Sequence, residues 1–193
     1  AVAPSVNFQS LVGRGEDLRG AVVRGIEPAA EAEVTPLAHE LRSSTFATLT
    51  PGSMNIVLGV ELARVLAVKP GDKVAIVLPG TDAASGAPRV TTFTLSGIFD
   101  TGHFEYDNTL VLLHLQDAAK LVGLGGPNGL ELRIADQQQA RRMAYALQAA
   151  LPANLNIRDW TRTNRNWFDA VQIEKRMMFI ILTLIVAVAA FNL

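Results

Sequence analysis

Residues 69–79, Lys-Pro-Gly-Asp-Lys-Val-Ala-Ile-Val-Leu-Pro, carry a turn, a strand and a stop in direct succession. Pro70 and Gly71 suit the two central positions of a type II turn: Pro presets φ at the first, and Gly tolerates the positive φ required at the second. Lys73 to Leu78 is apolar, partly β-branched and too short for a helix, so it reads as a strand. Pro79 lacks the N–H needed to extend a ladder and closes it. Upstream, Met54 to Leu58 is a short β-prone run broken by Gly59, and Val60 to Ala67 places Leu62, Val65 and Leu66 on one helical face. Downstream, Thr91 to Phe99 is a second strand with Phe93, Leu95 and Gly97 on one face. The two strands form a hairpin, and its long tip, Gly80 to Val90, is composed of small and polar residues.

Further strands and short helices extend this pattern. Asp17 to Ile26 reads as a strand closed by Glu27-Pro28, followed by an Ala/Glu-rich stretch with a short helix around Pro36 to Leu41. Thr109 to His114 is a strand and Gln116 to Val122 a helix; the loop Gly123 to Gly129 marks a boundary. Leu130, Leu132 and Ile134 alternate with Glu131 and Arg133 as a half-buried strand. Asp136 caps a helix whose apolar stripe is Ala140, Met143, Ala144, Leu147 and Leu151. Leu155 to Arg158 then completes a β-α-β unit. The expected fold is α+β, with two mixed α/β lobes, one inserted in the other, running into a truncated transmembrane helix. Residues 1–50 and 128–170 form the membrane-proximal lobe, 51–127 the inserted β-rich lobe, and 171–193 a connector and the start of the helix.

That last assignment rests on the run from Met177 to Leu193, which contains no ionisable group. Roughly 17 residues at 1.5 Å rise cover about 26 Å, just short of the ~30 Å hydrocarbon layer. Trp167 and Phe168 before the run, with Lys175 and Arg176 at its start, read as a membrane-interface connector. The flanking charges leave the side of the membrane open.

Composition narrows the chemistry. The 193 residues are 49% hydrophobic, with 17 Lys+Arg against 18 Asp+Glu. This is too apolar for disorder and too evenly charged for a nucleic-acid partner. With no cysteine there is no disulfide framework, thiolate metal site or cysteine nucleophile. His39, His103 and His114 show no metal-ligand spacing, and His114 reads as an edge-strand residue. His103, Glu105 and Asp107 form the one ionisable cluster, read as a solvated loop because no nucleophile or oxyanion hole accompanies it. Gly13-Arg14-Gly15 and Gly123 to Gly129 lack the phosphate-binding patterns and read as turns. No catalytic residue, metal or cofactor is expected.

The segment Phe168 to Met178, followed by Leu184 to Asn192, resembles the end of the periplasmic domain and the second transmembrane helix of the lipoprotein-releasing system permeases, the LolC/LolE family. Within it the chain looks more like the LolC type. Asn55 to Gly59, Leu62, Ala63, Leu66, Gly71-Asp72, Gly97 to Phe99 and Asp159-Trp160 also resemble that family. The resemblance implies a non-catalytic ABC transporter permease subunit of the MacB/FtsX class in the bacterial inner membrane, with this domain in the periplasm. It implies partnership with a LolE-like permease subunit or a second copy of the chain, a LolD-like cytoplasmic ATPase, the lipoprotein cargo and a LolA-like periplasmic carrier. It also implies a carrier-capturing hook, placed by position on the hairpin tip: Pro79, Gly80, Thr81, Asp82, Ala83, Ala84, Ser85, Gly86, Ala87, Pro88, Arg89 and Val90. Arg89, the cation of the loop, is the candidate contact for an acidic rim. Another permease of the same class, an exporter or cell-division regulator, and a membrane-tethered enzyme are the competing readings.

Overall fold

The computed structural model describes residues 1–15, 17–35, 46–80, 87–136, 139–152, 155–159 and 165–191. The strands are β1 (Val2–Arg14), β2 (Asp17–Ile26), β3 (Asn55–Gly59), β4 (Lys73–Leu78), β5 (Arg89–Phe99), β6 (Leu110–His114) and β7 (Gly129–Leu132). The helices are α1 (Pro28–Val34), α2 (Val60–Val65), α3 (Phe104–Thr109), α4 (Leu115–Val122), α5 (Ala140–Ala150) and α6 (Arg165–Phe191). By its contacts the chain divides into two units, Ala1–Arg133 and Ile134–Leu193.

In the first unit the strands pair in the order β2-β6-β3-β5-β4-β1-β7, and β1 also pairs with β2. That extra pairing closes six strands into a barrel and leaves β7 attached outside it. Closure satisfies backbone groups that an open sheet would present at its edges. The β2–β6 and β3–β5 pairs are parallel, and the others antiparallel. Strands from the 1–50 and 51–127 segments therefore share one hydrogen-bonded sheet.

Alternation fills the barrel. Val6 and Val12 of β1, Val74 and Ile76 of β4, and Phe93 and Leu95 of β5 are buried in one cluster, joined by Leu62, Ala63 and Leu66 from α2 and its end. β3 and β6 are buried on both faces. Ile56, Leu58, Val111 and Leu113 enter this cluster, while Val57, Leu110 and Leu112 join Phe46, Phe99 and Ile26 in a second one. This accounts for the unbroken apolar run Leu110 to Leu113, since a strand covered on both sides has no polar face to alternate with. The turn before β4 has the expected form: Gly71 has φ of 97° and the Asp72 N–H donates to the Lys69 carbonyl at 3.0 Å.

Several expectations are corrected. β1 forms where no strand is expected, although Val6, Phe8 and Val12 carry the two-residue period. Gly15, with φ of 63°, makes the turn into β2. α1 forms at Pro28–Val34, where Pro at the first helical position is favourable because its missing N–H is needed by no partner. The helix expected over 36–41 lies outside the described residues. In β7 the face is inverted: Leu130 and Leu132 are 65% and 53% exposed, while Glu131 pairs with Arg24. An edge strand covering no core is oriented by its ion pair and by its ladder to β1 rather than by apolar burial. His114 is no edge residue: it is buried at the end of the internal strand β6.

In the second unit the expected strand Leu155 to Arg158 is absent from the described residues. The Leu155 N–H donates to the Pro152 carbonyl at 3.1 Å, and its carbonyl accepts from Gln148 at 3.2 Å, so neither group is left for a strand ladder. Helix α5 starts at a Gln139 cap; the Gln139 N–H donates to the Asp136 carbonyl at 3.1 Å and its side chain to the Asp136 carboxylate at 2.9 Å. Of the stripe on α5, Ala140 is buried, whereas Met143 is exposed, and Leu151, the residue that caps the helix, is exposed too. α6 contains the apolar run from Met177, yet among the described residues no helix is long and apolar enough to cross a membrane.

Candidate functional site

The hairpin at the centre of the sequence reading is built as its residues dictate. β4 and β5 pair antiparallel from Lys73↔Thr94 to Leu78↔Arg89, and Pro79 ends β4. Thr81, Asp82, Ala83, Ala84, Ser85 and Gly86 lie outside the described residues. Pro79, Gly80, Ala87 and Pro88 bound that segment, and Gly80 has φ of 48°. Arg89 and Val90 belong to β5 rather than to the loop. The Arg89 guanidinium donates to the Leu121 carbonyl at 3.4 Å, in the last turn of α4, where a cation is favoured by the carbonyls of the helix end.

The root of the hairpin carries a feature not legible from spacing alone. β1 pairs Leu11 with Val77 of β4, and β4 pairs Val77 with Val90 of β5. Directly opposed residues of antiparallel strands share a face, so these three side chains form one apolar row across three strands. Val90 is 59% and Leu11 40% exposed, with Val77 half-buried. A shallow cavity of about 350 Å³ begins beside this row, with Leu11, Val22, Pro79 and Thr109 among its lining residues. The row is not legible in the sequence because the register of β1 with β4 is set only by folding.

The ionisable groups are distributed for structure. His114 caps α4, its Nδ1 accepting the Gln116 N–H at 3.2 Å. Of the cluster His103, Glu105 and Asp107, the first two are exposed. Asp107 is buried, its carboxylate accepting from the Thr101 N–H at 3.0 Å and hydroxyl at 2.8 Å. The three do not converge on a cleft, and no group of metal-ligating side chains forms among the described residues. His39 lies outside the described residues. The densest buried charge is elsewhere: Arg24 bridges Glu31 of α1 and Glu131 of β7. Burial pushes the Glu31 carboxyl above its usual range, Arg24 opposes that shift, and Glu131 adds to it.

Of the connector residues, Trp167 and Phe168 lie within α6, and Lys175 and Arg176 are exposed on it. From Ile173 onward the described side chains of α6 are exposed almost without exception.

No protein-family model matches the chain. Among curated proteins it is 43% identical over its whole length to the lipoprotein-releasing system transmembrane protein LolC of Neisseria meningitidis serogroup B, covering 48% of that protein. It is 37% identical over 99% of the chain to LolC of Xylella fastidiosa, covering 46% of it. It is 24% identical over its whole length to LolE of Haemophilus influenzae, covering 47%. The chain thus spans about half the length of the curated relatives it matches. Among solved structures, the extracellular domain of the noncanonic ABC-type transporter YknZ aligns with a TM-score of 0.48 at 14% identity, over 77% of this chain and 74% of that one. The periplasmic region of MacB from Actinobacillus actinomycetemcomitans aligns with a TM-score of 0.46 at 11% identity, over 78% and 66%.

Proposed function

From the premise that this chain is a relative of the LolC/LolE lipoprotein-releasing family over its whole length, we propose that it is the periplasmic docking part of an inner-membrane ABC permease subunit. The observation that carries the reading is the 43% identity to a LolC protein along the entire chain. In this reading the subunit is non-catalytic and takes its driving force from a separate cytoplasmic ATPase. It works beside a LolE-like subunit or a second copy of itself, and passes lipoprotein cargo to a LolA-like carrier.

The hairpin tip between Pro79 and Val90 is the proposed hook. A connection longer than a tight turn suits a partner-contacting protrusion. The row Leu11, Val77 and Val90 at its root, exposed at Leu11 and Val90, would continue the contact, since an apolar patch beside a polar loop resembles the core and rim of an interface. Arg89, held at the end of α4, would serve the stalk more than the tip. Helix α6, with Trp167 and Phe168 near its start and Lys175 and Arg176 farther along, is the proposed connector at the membrane surface, the domain lying on the periplasmic side.

The deciding experiment is a pull-down of a LolA-type carrier by the chain with residues 80–88 intact or deleted and replaced by Asn-Gly, which keeps Arg89 and Val90 in β5. Retention by the intact hairpin and loss on deletion, with an unchanged melting temperature, is the expected result. Equal retention by both would remove the hook. Inserting Gly-Gly after Ala170 tests the connector separately, because it breaks helical transmission. Lipoprotein release should fall while ATP hydrolysis by the assembled complex continues.

A further inference from the structure

The outer edge of β7 carries a pattern that specifies its own partner. Arg133 and Ala1 exchange both backbone hydrogen bonds, at 3.0 and 3.1 Å, just beyond the paired stretch from Val2↔Leu132 to Ser5↔Gly129. Hydrogen-bonded and non-hydrogen-bonded pairs alternate along an antiparallel ladder. The Glu131 N–H and carbonyl therefore turn towards β1, and those of Leu130 and Leu132 turn away from it. Pro4, which has no N–H, stands opposite Leu130, as that alternation requires. β7 ends the strand order, so among the described residues no strand meets the outward groups.

The two faces of the strand differ. Leu130 and Leu132 are exposed, and so is Val2, which lies opposite Leu132 on the same face. The other face carries Glu131, held by Arg24, and the exposed Arg133, whose guanidinium donates to the Glu33 carbonyl of α1 at 3.2 Å. A guanidinium has five N–H donors, so this bond leaves it capacity for a carboxylate. Along the strand, Glu131-Leu132-Arg133 sets opposite charges one position to either side of Leu132.

We infer that β7 is a pairing edge for a second copy of this chain, the two β7 strands running antiparallel about a two-fold axis at Leu132. In that register each Leu132 exchanges two backbone hydrogen bonds with its counterpart. Each Glu131 then lies directly opposite the second copy's Arg133, in a non-hydrogen-bonded pair where side chains approach most closely. Opposite charges so placed attract, and the axis makes the contact twice. Val2 and Leu132 of both copies form one apolar row across four strands. Moving the axis to Glu131 would keep the ladder but set two carboxylates against each other, so charge selects the first register. Unpaired N–H and C=O groups on an edge are a template for another strand, and the self-complementary charge makes that strand a copy of β7. The inference does not rest on the carrier-docking reading, since it involves neither the hairpin nor its root.

The chain contains no cysteine, so one introduced thiol reads the register. Across the axis the two Cα atoms at position 132 would stand about 5.5 Å apart, within reach of a disulfide. At position 130 they would be four residues out of register, roughly 13 Å apart and beyond that reach. The full chain is oxidised with glutathione disulfide in mild detergent, which covers the exposed side chains of α6. Leu132→Cys should form the disulfide-linked dimer at least about tenfold faster than Leu130→Cys. Both positions are exposed, so neither thiol disturbs a packed side chain. Adding Arg133→Glu to Leu132→Cys should slow the reaction about fivefold, and Arg133→Lys should restore it. Equal rates at 130 and 132, or no effect of Arg133→Glu, would overturn the inference. So would protection of the Leu130 and Leu132 amides from hydrogen exchange that is independent of protein concentration, which would assign the edge to a segment of the same chain.

Discussion

The two units of this chain are both rich in apolar residues and use them in opposite ways. In Ala1–Arg133 the apolar side chains recur every second residue along strands that close on themselves, so Phe93, Leu95, Ile56 and Leu113 are removed from solvent. In Ile134–Leu193 they are concentrated on helices, and Met177 through Val188 of α6 remain largely exposed. Hydrophobicity alone does not report burial; what matters is whether the periodicity gives the side chains a common interior. The barrel supplies its own, whereas α6 presents apolar side chains around its circumference, a pattern suited to a non-aqueous or protein environment.

The contrast is broken most directly by truncating one side chain in each unit. Phe93→Ala should destabilise the barrel by about 3–5 kcal/mol, since a buried ring is replaced by a cavity. Ile181→Ala on the exposed helix should leave the same denaturant midpoint unchanged. A shift caused by Ile181→Ala as large as that of Phe93→Ala would show that the helix carries a core of its own in water. The next effect in size concerns packing of backbone on backbone. Gly59→Ala places a methyl group where the Asp107 carbonyl oxygen already lies, so strand β3 and helix α3 must separate, at a cost of about 1–3 kcal/mol. The measurement is the urea midpoint, and Gly125→Ala, where a Cβ meets nothing within 4 Å, is the control.

A smaller effect belongs to the buried charge of the first unit. The folded state holds the Glu31 carboxyl above its ordinary value of 4.5, so folding binds a proton there. The favourable contribution is present at acid pH and declines as pH rises from the unfolded value through the folded one. Melting temperatures of the wild type and Glu31→Gln, followed from acid to neutral pH, should show the wild type losing ground to the variant as pH increases. Parallel curves for Glu31→Gln and the wild type would mean that Arg24 compensates fully for the burial of Glu31.

The local elements were written in the residues. Pro70-Gly71 specified a type II turn, Lys73 to Leu78 a strand, Asp17 to Ile26 another, and the alternation of Phe93 and Leu95 the face that became the barrel interior, because turn chemistry and side-chain period act over a few neighbours. The resemblance of the C-terminal segment to lipoprotein-releasing permeases was equally local and agrees with the relatives found. Barrel closure through β1 and β2, the row Leu11, Val77 and Val90, the inversion of Leu130 and Leu132, and the burial of His114 and Asp107 were decided in the tertiary structure. The strand features depend on which strand lies alongside which, with partners dozens of residues apart, and Asp107 is buried where α3 lies against Gly59 of β3. A one-residue change of register would turn strand residues such as Leu11, Leu130 and Leu132 to the opposite face while leaving the sequence periodicity intact.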